Sequence, residues 1–80
     1  MLEDSKFLGY VVHLPHSDEF LAMSEEDEIS EQRMWAKIPG MAIIYNNKKA
    51  AKKEAKSYGK GALVVKLFDA GDQYIVAQPK

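Results

Sequence analysis

The segment between Asn47 and Gly59 is the one long stretch of helix-forming composition, and it constrains the fold more than any other part of the sequence. Alanine and lysine, which dominate it, are strong helix formers. Asn46-Asn47 offers an N-cap, and Gly59 suits the position just after the last turn. At about 100° per residue, Ala51, Ala55 and Tyr58 fall on one narrow face, and lysines sweep the adjacent arc. We therefore expect one helix, whose small buried residues let it lie close against a sheet.

The other apolar residues come in short runs that are typical of β-strands. The run at 6–14 is largely apolar on both faces, which predicts an interior strand, and 19–23 can return beside it as a hairpin. The best later strands are predicted at 62–68 and 73–77, joined by a tight loop.

The segment around Pro39 and Gly40 admits two interpretations, because this pair suits the centre of a type II turn. The pair either joins two hairpin strands at 33–38 and 41–45, or bends the approach to one strong strand at 41–45. We favour the strand at 41–45. If it neighbours the strand at 63–68, the helix between them is a right-handed crossover and the two strands run parallel.

These elements follow one another in the order β-β-(β)-β-α-β-β. The sequence therefore predicts an α+β fold, with a mostly antiparallel sheet of four to five strands and one helix packed on one face. Eighty residues suffice for a single domain, 1–80, with a stability on the order of 5 kcal/mol. Because the chain has no cysteine, we expect it to depend on packing or on oligomerisation, as a monomer or a homodimer.

Charge is sorted along the chain, although the formal net charge is only −1. Seven of the twelve carboxylates lie between Asp18 and Glu31, with no basic residue among them. Six of the eleven basic residues lie between Lys48 and Lys60, opposed by one glutamate. The acidic stretch at 24–32 predicts either a short helical turn or a solvated loop, since acids four residues apart repel one another on a helix.

No pattern in the sequence specifies catalysis, a metal ion or a cofactor. His13 and His16 span the end of a strand and a proline, whereas paired metal ligands at this spacing converge on a helix face. The acids at 25–28 lack the glycine and the alternating ligands of a calcium loop. No serine lies in a nucleophile elbow, and no glycine-rich phosphate loop occurs. We expect a non-enzymatic protein without a cofactor.

Two kinds of binding surface are candidates. Another protein could be bound by the acidic stretch, by the region around Trp35 and Met34, or by a sheet edge. Complementary charge speeds encounter, and tryptophan and methionine are enriched in interfaces. Nucleic acid could be bound non-specifically by the lysines. Three structural roles compete with these: the lysines could form a solvated helix face, the acids could cover the lysine helix, and a lone tryptophan is often a core residue. The protein-binding candidates are Glu25, Glu26, Asp27, Glu28, Glu31, Met34 and Trp35, and the nucleic-acid candidates are Lys48, Lys49, Lys52, Lys53, Lys56 and Lys60.

A pattern of short motifs extends over most of the chain. In order, it consists of Tyr10-Val11-Val12, Phe20-Leu21, Trp35, Ala42-Ile43-Ile44-Tyr45, the helix residues Ala51 and Ala55, and Leu63-Val64-Val65. This pattern resembles small uncharacterised proteins of bacteriophages and mobile elements, which share a hairpin, a tryptophan-containing approach, a strand, a short helix and a closing strand. The acidic stretch departs from it. The resemblance implies a non-enzymatic binder, and some such proteins inhibit host enzymes or defence systems.

We therefore expect a protein-interaction module of the phage type, which binds or inhibits a host protein, with non-specific nucleic-acid binding as the alternative. The first six residues lack the basic start and apolar run of a signal peptide, and no run of about 18 apolar residues occurs. These features predict a cytoplasmic protein, in the host cytoplasm if phage-encoded, without a membrane partner.

Overall fold

The computed structural model describes residues 5–26 and 31–78. Within them, a five-stranded sheet carries one α-helix on one face, which confirms the expected α+β class. A short 3₁₀ turn, Pro39–Met41, lies between the third strand and the helix. The elements are β1 (Lys6–Leu14), β2 (Glu19–Glu26), β3 (Glu31–Ala36), α1 (Lys48–Tyr58), β4 (Leu63–Asp69) and β5 (Tyr74–Ala77).

All neighbouring strands of the sheet run antiparallel, in the order β3-β2-β1-β4-β5. β1 pairs with β4 from Lys6 opposite Asp69 to His13 opposite Leu63, but it pairs with β2 only beside the connecting turn. β1 is thus the central strand and has apolar neighbours on both faces. Its interior position, predicted from its apolar pattern, is confirmed.

The helix lies on the sheet face that carries Val12 and Leu21. Ala51 and Ala55 are buried against these two residues, as the helical spacing predicts. Methyl side chains on both alanines allow the helix axis to approach the sheet closely, and dispersion contacts then hold the two layers together.

Both ends of the helix are set by local hydrogen bonds. The Asn47 side-chain oxygen accepts a 2.8 Å hydrogen bond from the Ala50 N–H, and so satisfies one of the free donors of the first turn. At the other end, the Gly59 N–H donates a 2.9 Å bond to the Ala55 carbonyl. The predicted helix boundaries are confirmed.

The opposite face of the sheet carries a second core cluster, formed by Val11, Phe20, Val65 and Leu67. In the part of the chain that the structure describes, no helix covers this face. The 3₁₀ turn Pro39–Met41 instead contacts β2 and β5, and therefore crosses part of it. This face is thus covered less completely than the helix face.

After the 3₁₀ turn, the chain passes between β1 and β2 from one face of the sheet to the other. Ala42 packs on the second cluster, whereas Ile43 and Tyr45 pack on the helix side. The Ile43 N–H donates a 2.9 Å bond to the Leu21 carbonyl, and Tyr10 and Tyr45 exchange two backbone bonds of 2.9 and 2.8 Å. Residues 42–45 are called the passing segment below. They form hydrogen bonds with backbone groups of β1 and β2 that have no strand partner where these two strands diverge.

Gly9 lies where the passing segment comes closest to β1. Its φ is 148°, and a Cβ at this position would lie 2.5 Å from Ile44 Cγ2 and 2.7 Å from the Tyr45 carbonyl oxygen. The glycine follows a register shift between β1 and β4 that leaves Leu8 as an extra residue. Glycine alone fits both this backbone conformation and this contact.

The strand favoured at 41–45 is wrong. This segment holds the end of the 3₁₀ turn and an isolated bridge at Tyr45, because its backbone groups bond to two different strands rather than to one ladder. The less favoured segment at 33–38 instead contributes most of β3. Since every strand pair is antiparallel, the helix is not a parallel crossover.

The two interpretations of the acidic stretch at 24–32 also fail where the structure describes it. β2 continues to Glu26 and β3 begins at Glu31, so the acids at both ends belong to a hairpin ladder. Pairing with the opposite strand outweighs the poor strand propensity of glutamate here. Asp27 and Glu28 lie outside the described residues.

Candidate interaction surfaces

A polar cluster fixes the β2–β3 hairpin against the helix. Arg33 Nε of β3 donates a 2.8 Å hydrogen bond to Glu54 Oε2 of the helix, and Ser24 Oγ of β2 donates a 3.1 Å bond to the same oxygen. Arg33 Nη2 also donates a 3.4 Å bond to Ser57 Oγ, and its guanidinium carbon lies 5.2 Å from the centroid of the Tyr58 ring. The two charged side chains are only 11% and 22% exposed, so water screens this pair less than a surface pair.

The sequence leaves open that the acidic stretch covers the lysine helix. The charges in this cluster have the opposite arrangement. Among the residues that the structure describes, the ion pair between hairpin and helix joins the hairpin's arginine to the one carboxylate of the helix. Glu54 is therefore engaged away from the lysines. In the ranges 5–26 and 31–78, no helix lysine forms an ion pair with Glu54.

Burial and charge also act on the Tyr45 hydroxyl. Burial raises its pKa, the Glu54 carboxylate raises the pKa further, and the Arg33 guanidinium partly offsets both effects. Tyr45 therefore stays protonated over the physiological pH range.

Trp35 and Met34, which the sequence groups together, lie on opposite faces of the sheet because neighbouring strand residues alternate. Trp35 packs on the core cluster under the helix, with its ring centroid 4.9 Å from that of Tyr58. Met34 is 58% exposed on the other face. Trp35 is therefore partly buried against this core, and its role in protein binding stays a prediction.

Glu25, Glu26 and Glu31, the candidate acids within the described residues, lie at the end of the hairpin farthest from its core residues. Glu25 is exposed in β2 and pairs in register with Gln32. The register also places Glu26 opposite Glu31. These three residues therefore lie in paired strands rather than in a loop, and strand pairing holds their backbone before any partner binds.

The helix lysines are all exposed, and within the described residues none of them forms an ion pair with a carboxylate. Lys60 follows the helix, and its Nζ lies 5.3 Å from the centroid of the Tyr58 ring. The structure thus places the six predicted lysines on or beside one exposed helix surface. The five within the helix are Lys48, Lys49, Lys52, Lys53 and Lys56.

A groove of about 520 Å³ lies between the helix and β4, and is called the lysine groove below. Lysines that recur every four residues form its helix side, and small or aliphatic residues form most of the rest. The lysine groove is lined by Lys48, Lys52, Ala55, Lys56, Ala62, Leu63, Val64 and Gln78. It therefore combines a row of cations with an apolar floor.

The sheet face opposite the helix exposes several large apolar side chains, and is called the apolar face below. By strand alternation Met34, Tyr74 and Val76 lie on this face, and Ile38 and Met41 belong to the segment that crosses it. Ile38 is 57% exposed and Met41 is 63% exposed. The Tyr74 ring lies so close to Gly40 that a Cβ there would meet it at 2.5 Å. These side chains surround the buried core of that face.

The two histidines do not form a shared site. His13 Nε2 lies 3.0 Å from Asp18 Oδ1, and its ring stacks on Phe20 with centroids 4.6 Å apart. His16 is exposed in the turn. No group of three potential metal ligands occurs in the described ranges 5–26 and 31–78.

Sequence reasoning missed most of the apolar face, of which only Met34 was a candidate. Met34 lies in β3, Tyr74 and Val76 lie in β5, and Ile38 and Met41 lie in the segment after β3, so strand pairing assembles this face from distant parts of the sequence. In the sequence, this face is indicated by the apolar residues Ile38 and Met41, which lie on either side of Pro39-Gly40.

Comparisons with models of protein families, with curated proteins and with solved structures each find no match to this chain. Within the residues that the structure describes, no helix is long and apolar enough to cross a membrane.

Proposed function

We propose that this chain is a non-enzymatic protein-interaction module, which binds another protein through the apolar face. The observation that carries the proposal is the exposure of Met34, Ile38, Met41, Tyr74 and Val76 around a sheet face that no helix covers in the described part. Single exposed apolar residues are ordinary on any protein, but several on one face are typical of an interaction site. Burying one such side chain would contribute about 1.5–3 kcal/mol.

The chemistry of this face supports a protein as the partner. Methionine side chains adapt to irregular apolar surfaces, and tyrosine adds a hydrogen-bonding group to a large apolar ring. The exposed Glu25 and the neighbouring candidates Glu26, Asp27, Glu28 and Glu31 would attract a basic partner during encounter. The resemblance to small phage and mobile-element proteins supports a host protein as that partner, in the host cytoplasm.

Affinity capture with matched surface variants tests this proposal. The full chain is immobilised, and the proteins that it retains from a host lysate are compared with those retained by Met34→Lys/Met41→Lys. Asn46→Lys/Gln73→Lys is the control, because it adds the same two charges at exposed polar positions. We expect the first variant to lose the specific partner and the control to keep it, while all three chains unfold at similar temperatures.

Retention of the same protein by all three chains would contradict binding through the apolar face. Sedimentation of the purified chain provides the second readout. Self-association that Met34→Lys/Met41→Lys abolishes would assign the face to a second copy of the chain rather than to another protein.

Non-specific binding of nucleic acid is the second candidate function, and it is favoured by the exposed lysines, which form no ion pair among the described residues. Each phosphate contact would release counterions, so affinity would fall linearly with salt on logarithmic axes. We expect binding no tighter than roughly 100 μM at physiological salt, as for other small non-specific contacts. A micromolar constant for a mixed oligonucleotide would rank this function first.

A further inference from the structure

We propose that the lysine groove is a second binding site, which takes an acidic segment of a protein in which carboxylates alternate with apolar residues. This site lies on the helix side of the sheet and is distinct in chemistry from the apolar face. Three observations carry the inference: the freedom of the lysines, the apolar floor beneath them, and the spacing of the row.

The first observation is that the cations of the lysine groove are available. Lys48, Lys52 and Lys56 are exposed, and within the described residues they form no ion pair. The helix's own carboxylate, Glu54, is held by Arg33 and Ser24 on the side of the hairpin. An external anion can therefore pair with these lysines without displacing an internal one.

The second observation is that the lysine groove is not simply a charged surface. Ala55, Ala62 and Val64, which belong to the helix side of the sheet, line it together with the lysines. A ligand that carried charge alone would leave this floor in contact with water. A segment that also presents apolar side chains would cover it, and would gain affinity from both kinds of contact.

The third observation is the spacing of the cations. Residues four apart on a helix rise by about 6 Å, and alternate residues of an extended chain are separated by about 6.7 Å. The three lysines at four-residue intervals can therefore meet successive carboxylates on one side of an extended segment. The residues between them point to the opposite side, where they can reach the apolar floor.

The same spacing also suits phosphates, but the lining of the groove favours a protein segment. Single strands of nucleic acid are held by aromatic rings on which bases stack, and phosphates are often clamped by arginine. No residue that lines the groove is aromatic or an arginine. Its aliphatic floor suits valine or leucine side chains instead.

Fluorescence anisotropy of a short blocked peptide of alternating glutamate and valine tests the inference on the full chain, at about 0.15 M salt. The matched variants are Lys48→Gln/Lys52→Gln in the groove and Lys49→Gln/Lys53→Gln on the neighbouring rows of the same helix. Both remove two charges from exposed positions. We expect about ten-fold weaker binding for the groove pair and less than about three-fold for the control pair. A peptide with glutamine in place of glutamate should not bind.

Three results would overturn the inference: no peptide binding at about 1 mM, equal losses in the two lysine pairs, or tighter binding of a single-stranded oligonucleotide than of the peptide. Equal losses would indicate diffuse charge attraction, and oligonucleotide preference would indicate nucleic acid. The Met34→Lys/Met41→Lys variant should bind the peptide like the unchanged chain. Failure of the groove inference is therefore distinguishable from failure of the proposed function, which that variant tests by capture.

Discussion

Replacing Gly9 by alanine tests the passage of the chain between β1 and β2. The backbone at Gly9 has a φ of 148°, and holding another residue in such a region costs about 1–3 kcal/mol. The new Cβ would also lie 2.7 Å from the Tyr45 carbonyl oxygen. That oxygen cannot retreat without weakening its hydrogen bond from the Tyr10 N–H, which is worth about 1 kcal/mol. We expect Gly9→Ala to lower the free energy of unfolding by about 3 kcal/mol.

Urea unfolding followed by the fluorescence of Trp35, which packs beside the helix, measures this loss. Gly71→Ala is the matched control, because its φ of 94° is also positive but no atom lies within 4 Å of the added Cβ. The control should lose only about 1 kcal/mol, the strain of its own backbone. Equal losses in the two variants would refute the close approach of the passing segment to β1.

Three further predictions concern the helix and its contacts. Ala55→Leu should overpack the helix–sheet contact and destabilise the fold by about 1–3 kcal/mol. Lys52→Ala should change stability by less than about 0.5 kcal/mol. Urea unfolding of both variants checks the orientation of the helix. Arg33→Met should cost about 2 kcal/mol by leaving Glu54 without its charged partner, and a double-mutant cycle with Glu54→Met should show that the two losses are not additive. Because the pKa of Tyr45 is raised above its unfolded value of 10.0, stability should fall as the pH rises above that value. Tyr45→Phe should reduce this alkaline loss, measured as the thermal midpoint against pH.

The parts of the fold that could be predicted are those set by neighbouring residues. Asn47 and Gly59 bound the helix through hydrogen bonds within one turn, so composition and capping identify it. The burial of Ala51 and Ala55 follows from their spacing alone. β1 is recognisable because a strand covered on both faces is apolar on both.

The parts that could not be predicted depend on register between distant segments. Arg33 and Glu54 are 21 residues apart, and nothing in their local sequence indicates that they form a pair. Met34 in β3 and Tyr74 and Val76 in β5 belong to strands at opposite edges of the sheet, so the apolar face is not continuous in the sequence. Segment 41–45 has strand-like composition, but hydrogen bonds to two separate strands outweigh that local preference.

The most direct test of the central claim, that the chain recognises a protein through its apolar face, is a methyl NMR spectrum of the chain with its methionines labelled. The spectrum is recorded with and without the captured partner. We expect the methyl signals of Met34 and Met41, which are exposed in the free chain, to broaden or shift as both side chains lose contact with solvent. Unchanged signals at both methionines, with amide shifts confined to Lys49 and Lys53 on the outer helix surface, would contradict it.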